Sequence, residues 1–512
     1  MLVKVTGCAV IGLEAIPITI EVNIAKGINF FLVGLPDSAV KESQHRINAA
    51  LDNIGYKIPG KGITINMAPA DIKKEGSAYD LPIAIGILAA SEQIPKCDFS
   101  EFMIMGELAL DGNLRPLKGV LPMAIETRNL GYKAIFLPKE NAKEAAIVSD
   151  IDVYGIENIK ELIDFFVADK APPITTVDTR AQFEQDIKEY PVNFADVKGQ
   201  ENVKRAFEIA AAGGHNIILV GPPGAGKTML AKRLPTILPP LNLSEALETT
   251  KIHSVAGKLR KETSLLAQRP FRSPHHTISD VALVGGGSFP APGEISLSHN
   301  GVLFLDELPE FKRTVLEVMR QPLEDRMVTI ARSKYTVEYP ASFMLVAAMN
   351  PCPCGYHNHP EKECICPPGT VQRYLSKVSG PLLDRIDIHI EVTPVSLDEL
   401  AVKEYHAEKS VKVRDRVIGA RKIQNARFGK SNIHCNAQMG SKEIRSTCDL
   451  DQASLNLLKK AMEKLQLSAR AYDRILKVAR TIADLDASDK ILNQHIAEAI
   501  QYRSLDRANW AD

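Results

Sequence analysis

Asn216-Ile217-Ile218-Leu219-Val220, continued by Gly221-Pro222-Pro223-Gly224-Ala225-Gly226-Lys227-Thr228, is the stretch that decides the fold. The apolar run makes a short buried strand, the next eight residues fit GxxxxGK[ST], and a helical pattern follows. That order is the context the motif requires. Glycines let backbone N–H groups turn inward on phosphates, and the helix behind them presents its positive N-terminus. Lys227 supplies a point charge for β and γ oxygens, and Thr228 can ligate Mg²⁺. The expected nucleotide-binding residues are therefore Gly221, Pro222, Pro223, Gly224, Ala225, Gly226, Lys227 and Thr228. A chance glycine-rich turn, the bland alternative, would not need a strand before it and a helix after it.

Downstream, Val302-Leu303-Phe304-Leu305-Asp306-Glu307 is an apolar strand ending in two carboxylates, placed where α/β folds bind ligands. Asp306 is expected to hold Mg²⁺, and Glu307 to orient and deprotonate the attacking water. An isolated strand often ends in solvated acids, but here a phosphate loop lies upstream. The strand FMLVAAMN ends in Asn350, an amide that could position the same water, although a strand-end Asn is usually a turn former. Pro381-Leu382-Leu383-Asp384-Arg385-Ile386-Asp387 carries one arginine in an apolar and acidic run, where an intrachain pair with a neighbouring Asp is the simple reading.

Cys352, Cys354, Cys364 and Cys366 form two CxC pairs separated by nine residues, just after Asn350. Four converging thiolates in a reducing compartment suggest a closed tetrahedral Zn²⁺ site. His357 or His359 could replace one cysteine, and free or redox-active thiols are the alternative. Between Lys227 and Asp306 lie 78 residues, part of them a Ser/Gly/Pro-rich, loop-like insertion. Within it, His275-His276 has no third ligand nearby and reads as a surface pair. RMVTIARSKYTVEYP reads as a β-hairpin whose tip bears Arg332 and Lys334 beside Tyr335. Such a tip suits a pore loop gripping a nucleic-acid backbone; a solvated edge guarded by basic residues has the same appearance. Residues 401–430 hold nine Lys or Arg against three acids, a solvated helix face or a local DNA footprint.

The whole chain has 512 residues, 45% hydrophobic and 24% charged, which excludes long disorder and fibrous repeats. Lys plus Arg and Asp plus Glu are both 62, so any nucleic-acid contact must come from local patches. The chain start lacks a basic n-region with an unbroken apolar run, and no 18-residue apolar stretch occurs, so no membrane contact and a cytoplasmic location are expected. Periodicity divides the chain into four parts. Residues 1–170 form an α+β or α/β domain, 171–190 a Pro- and charge-rich linker, 191–395 an α/β nucleotide-binding core, and 396–512 a helical segment opening with a long amphipathic helix.

GPPGAGKT, VLFLDE, Asn350 and LLDRID, in this order, resemble an AAA+ ATPase, and the inserted loops resemble those of its magnesium-chelatase and replicative-helicase branch. The resemblance implies that Arg385 is an arginine finger for an adjacent subunit. It also implies that Arg470, or Arg474 one turn later, is the second sensor of a C-terminal helical lid. Residues 1–170 resemble the proteolytic domain of Lon proteases, a fold of the ribosomal S5 domain 2 type. The Lon serine position falls on Ala78, with Ser77 one early, and its lysine position on Leu121, so a peptidase-dead domain is expected. Over essentially the whole chain the sequence resembles the ComM/YifB family of magnesium-chelatase-like ATPases. That implies a homo-hexameric helicase acting on single-stranded or branched DNA in recombination or natural transformation. A motor for metal insertion into porphyrin, and a protein-remodelling ATPase, are the alternatives.

Overall fold

A computed structural model describes residues 1–95, 97–168, 170–179, 183, 190–259, 264–287, 290–331, 336–357, 359, 361–395, 407–429, 431 and 433–503. The chain is a multidomain α/β protein with a helical C-terminal region.

The first sheet has seven strands in the order Phe30–Val33, Gly62–Ala68, Glu14–Ala25, Leu2–Ile11, Phe102–Ile104, Ala134–Pro138 and Asp152–Ile156. Its centre is a long antiparallel hairpin, with Leu2 opposite Asn23 and Ile11 opposite Glu14. Alternation in Leu2–Ile11 and Glu14–Ala25 points Val5, Ile18, Ile20 and Val22 into the core, as period-two patterning demands. Helix Asp80–Ala90 is apolar on every side and buried at every residue, so it can only be a core helix.

The second sheet is wholly parallel. Its order is Phe271–Arg272, Val302–Leu305, Met344–Met349, Ile217–Val220, Ile388–Glu391. The central strands are buried on both faces, which explains their unbroken apolar runs. Helix Glu201–Gly213 packs on one face together with the C-terminal helices Ser410–Phe428 and Ala469–Leu485. The two sheets' domains meet at helix Leu243–Val255, which lies against helix Val120–Asn129. There Gly119 N donates to Ser254 O at 3.1 Å, and buried Glu144 accepts from Ser254 Oγ and from Leu121 N.

Two local expectations change and a third stands. The insertion after Lys227 is not simply loop: Phe271–Arg272 joins the parallel sheet as its edge, and Asp280–Val284 and Glu294–Leu297 are helical. The long helix begins only at Ser410, after Lys409 in extended conformation, because Ser410 is tied by Phe194 N and Asn193 rather than continuing a turn; residues 396–406 lie outside the described residues. The hairpin forms as read, Met327–Ala331 against Thr336–Pro340, while Arg332, Lys334 and Tyr335 at its tip lie outside the described residues. Among the described residues no helix is long and apolar enough to cross a membrane.

Candidate functional site

Parallel register sets the site. Val220 lies opposite Met349, so Gly221 and Asn350 leave the sheet side by side. Leu305 lies opposite Ala347 on the other flank, which brings Asp306 to the same edge. Gly224 and Gly226 have φ of +81° and +86°, a left-handed conformation that favours glycine. A Cβ at either would meet nothing within 4 Å, so the loop encloses room for phosphate rather than packed side chains. Lys227 Nζ donates to Gly221 O at 2.6 Å, Pro222 O at 2.9 Å and Asn350 Oδ1 at 3.1 Å. Burial draws its pKa down, against the pull of Asp306 and Glu307. A buried ammonium with three exchangeable acceptors fits anionic phosphate oxygens.

Thr228 Oγ1 donates to Asp306 Oδ2 at 2.6 Å. Two hard oxygen donors in contact at the mouth of a phosphate loop fit Mg²⁺. Glu307 sits in the left-handed region at φ +53°, its N–H donating to Asp306 Oδ1 at 3.0 Å, and its side chain is 58% exposed. That backbone sends the two adjacent carboxylates in different directions, one toward Thr228 and one toward solvent.

Sequence reasoning missed His276. Its Nδ1 lies 3.3 Å from Glu307 Oε2, the two side chains being 31% and 58% exposed, so the surface pair borders the phosphate site. His275 stacks beside it with ring centroids 4.1 Å apart. The only sequence signal was the histidine pair itself, since the strand that delivers it, Phe271–Arg272, is two residues long.

Arg385 is elsewhere. Asn216, just before Ile217, donates its Nδ2 to Arg385 O at 3.0 Å, and its backbone carbonyl accepts from Asp387 N and Ile388 N. Arg385 thus stands at the opposite edge of the sheet from Gly221, one four-residue strand away, roughly 13 Å along the backbone. The guanidinium pairs with Glu324 at 2.5 Å and donates to Pro381 O at 2.6 Å, so its partner is not a neighbouring Asp. Arg470 NH1 reaches Asp384 at 3.3 Å and is 66% exposed. Arg474 instead binds Asp387 at 2.6 Å in a buried network with His215; burial would raise the Asp387 pKa, but Arg474 and His215 outweigh it and hold the carboxyl low. Arg474 is therefore committed to the core, and Arg470 is the exposed arginine of that helix.

The four cysteine sulfurs Cys352, Cys354, Cys364 and Cys366 all lie within 4.8 Å of one another, with spacings of 3.3, 3.7 and 3.6 Å among the first three. A tetrahedron with bonds of about 2.3 Å has edges of about 3.8 Å, so the set fits a tetrahedral metal. His359 Nδ1 accepts from Glu361 N and Lys362 N and closes a local turn.

In helix Ser410–Phe428 much of the basic bias is consumed internally. Arg416 pairs with Glu208 and Glu408, Arg427 with Asp484, and Arg421 donates to Ala211 O. In the first domain Ser77 Oγ donates to Glu107, Ala78 packs against the core, and Leu121 is fully buried.

Three family models match this chain. One described as magnesium chelatase, subunit ChlI, covers residues 193–400; one described as subunit ChlI of Mg-chelatase covers 20–141; and one described as magnesium chelatase, subunit ChlI C-terminal, covers 407–503. Lon protease 2 of Bacillus subtilis is 30% identical over 162 residues, 29% of this chain and 28% of its own. The chain is 45% identical over 510 residues to the competence protein ComM of Haemophilus influenzae, 98% of this chain and 97% of that one. It is 45% identical over 505 residues to the protein YifB of Escherichia coli, 98% and 96%. Such identity from end to end, around a P-loop sheet of this layout, means that the chain belongs to the ComM/YifB family of magnesium-chelatase-like AAA+ ATPases.

Proposed function

We propose that this protein is a homo-hexameric DNA motor, a helicase that couples ATP hydrolysis to branch migration of recombination intermediates. What supports it is the separation of the proposed site residues across the sheet: the phosphate loop and Glu307 lie at one end of the strands, Arg385 and Arg470 at the other. A subunit cannot bring its own Arg385 to its own phosphates, whereas subunits arranged head to tail in a ring place that edge against the next loop. A relative of 45% identity bears the name competence protein, which agrees with work on recombining DNA.

In this reading Lys227 exchanges its three acceptors for phosphate oxygens. Thr228 and Asp306 would hold Mg²⁺, whose contribution when bound is to neutralise charge on the β and γ oxygens. Glu307 accepts the proton of the attacking water, Asn350 orients that water, and Arg385 of a neighbouring copy faces the γ-phosphate. His276 steers the Glu307 carboxylate. His276→Ala is expected to lower kcat by about two- to fivefold, the worth of one solvent-exposed ion pair, with KM for ATP little changed. A kcat equal to that of the unaltered protein would dismiss this role. Cys352, Cys354, Cys364 and Cys366 would hold Zn²⁺, which would staple a segment whose described residues form no helix or strand. The first domain, with Ser77 bonded to Glu107 and leucine at 121, serves as scaffold or DNA contact rather than peptidase.

The test is steady-state ATP hydrolysis with and without single-stranded and branched DNA across salt concentrations. Stimulation should fade steeply as salt rises, and Arg332→Ala/Lys334→Ala should lower it and flatten the slope, by about 0.7–0.9 in log–log units for each phosphate interaction removed. Normal basal turnover with no response to any DNA would transfer the assignment to porphyrin metal insertion or protein remodelling.

A further inference from the structure

The cysteine cluster sits on the nucleotide loop itself. Pro351 and Cys352 follow Asn350 directly, and Asn350 Oδ1 accepts from Lys227. Three residues on, the turn touches the loop: a Cβ on Gly355 would stand 2.5 Å from Pro223 Cδ. Gly355 N donates to Cys352 O at 3.0 Å, and His357 N to Cys352 Sγ at 3.3 Å, so the turn takes its shape from the fully buried Cys352. His357 and Gly355 face Gly221, Pro222 and Val392 across a single cleft, and His357 Nε2 is buried with no hydrogen-bond partner among the described residues.

Described residues from Pro351 to Pro367 form no helix or strand. What shapes this segment is a handful of turn hydrogen bonds and the convergence of four sulfurs. Thiols are weak donors and thiolates repel one another, so a cation would strongly favour their convergence. Ordering a backbone residue costs about 1–2 kcal/mol, and a turn already ordered by metal spares a ligand that cost.

We propose that metal and nucleotide binding are linked: the zinc-held turn is the roof of the nucleotide site, so zinc in the cluster raises affinity for nucleotide, and nucleotide raises affinity for zinc by the same factor. This rests on the reading of the four thiols as a zinc site. The chain then carries a built-in dependence of its motor on zinc supply, since losing the metal removes the roof.

The experiment uses the full chain, zinc-loaded, stripped by a chelator, and reloaded, titrated with a fluorescent ADP analogue while zinc is counted per chain. Stripping should weaken ADP binding at least tenfold, reloading should restore it, and saturating ADP should tighten zinc against a colorimetric chelator by a matching factor. Gly355→Ala gives a second arm that leaves all four cysteines in place. At φ +84° and 2.5 Å from Pro223, the added methyl pushes the roof off the loop, so this variant should keep one zinc per chain and lose ADP affinity several-fold. Zinc bound with ADP affinity within twofold in both the stripped chain and Gly355→Ala overturns the linkage alone. A chain that takes up no zinc overturns the zinc reading and the linkage with it. Should stripping unfold the chain by circular dichroism, the Gly355→Ala result decides.

Discussion

Glu307→Gln lowers steady-state ATP turnover at least about 100-fold while ATP affinity stays within a few-fold of the unaltered protein, because a positioned general base contributes about 10²–10⁴ in rate and an amide of the same shape accepts no proton. The carboxylates divide along the line the geometry draws. Asp306 is bound to Thr228 Oγ1 and to the Glu307 N–H, and so is tied to the phosphate loop. The Glu307 side chain makes neither of these bonds, and its left-handed backbone turns it outward to His276. Non-glycine residues adopt that conformation uncommonly, and where one does so beside a ligand site the strain reflects a required direction for the side chain. A coupled assay for turnover and equilibrium binding of labelled ATP decide the matter together. Unchanged turnover removes Glu307 as base, whereas a joint fall in binding and turnover makes it a ligand-holding residue instead.

The parts of this site that sequence displays are those where a short motif coincides with an apolar run. GPPGAGKT after IILV, Asp306-Glu307 after VLFL and Asn350 after FMLVAAM announce three neighbouring strand ends, because strands buried on both faces leave unbroken apolar signatures. The edge strand Phe271–Arg272 leaves no such trace: two residues carry no periodicity, and without it nothing brings His276 toward a glutamate 31 positions later. Arg385 shows a different limit. Its own acidic neighbours are the obvious partners in sequence, yet Asp384 turns to Arg470 and Asp387 to Arg474 and His215, leaving Arg385 to Glu324 on a separate helix. Local charge patterning cannot rank partners that tertiary packing supplies. The bearing of Gly355 on Pro223 is of the same kind, a meeting of loops 132 residues apart. The basic run at 401–430 is legible as charge but not as use, since Arg416 and Arg427 are claimed by Glu208, Glu408 and Asp484 within the chain.

Arg385→Ala is expected to lower turnover by about 10³-fold or more, the range found when an arginine finger is removed from a phosphoryl-transfer site, with nucleotide binding preserved. Preservation of binding follows from position. Arg385 is anchored by Asn216 at the far edge of the sheet, so the variant's own phosphate loop, Thr228–Asp306 bond and Glu307 are untouched. The variant's fault then belongs to its neighbour, and mixing shows it. Lys227→Ala is inactive for want of a phosphate ligand but carries an intact Arg385, while Arg385→Ala carries an intact loop. When the two inactive proteins are mixed, some interfaces in the rings pair an intact loop with an intact arginine, and turnover reappears; summed activities equal to zero at every ratio would place Arg385 outside the reaction or confine it to its own subunit. Glu324 sets the cost of engagement. Its carboxylate, 56% exposed, holds Arg385 at 2.5 Å, while the arginine side chain itself is only 10% exposed, so solvent screens the pair from the glutamate side alone. At a subunit interface of the proposed kind, a multiply charged γ-phosphate would attract a guanidinium more strongly than a single, half-exposed carboxylate does. On the proposed ring arrangement, Arg385 would leave Glu324 when a neighbour's loop is loaded and return when it is empty, which would make the order of firing depend on which interfaces hold ATP.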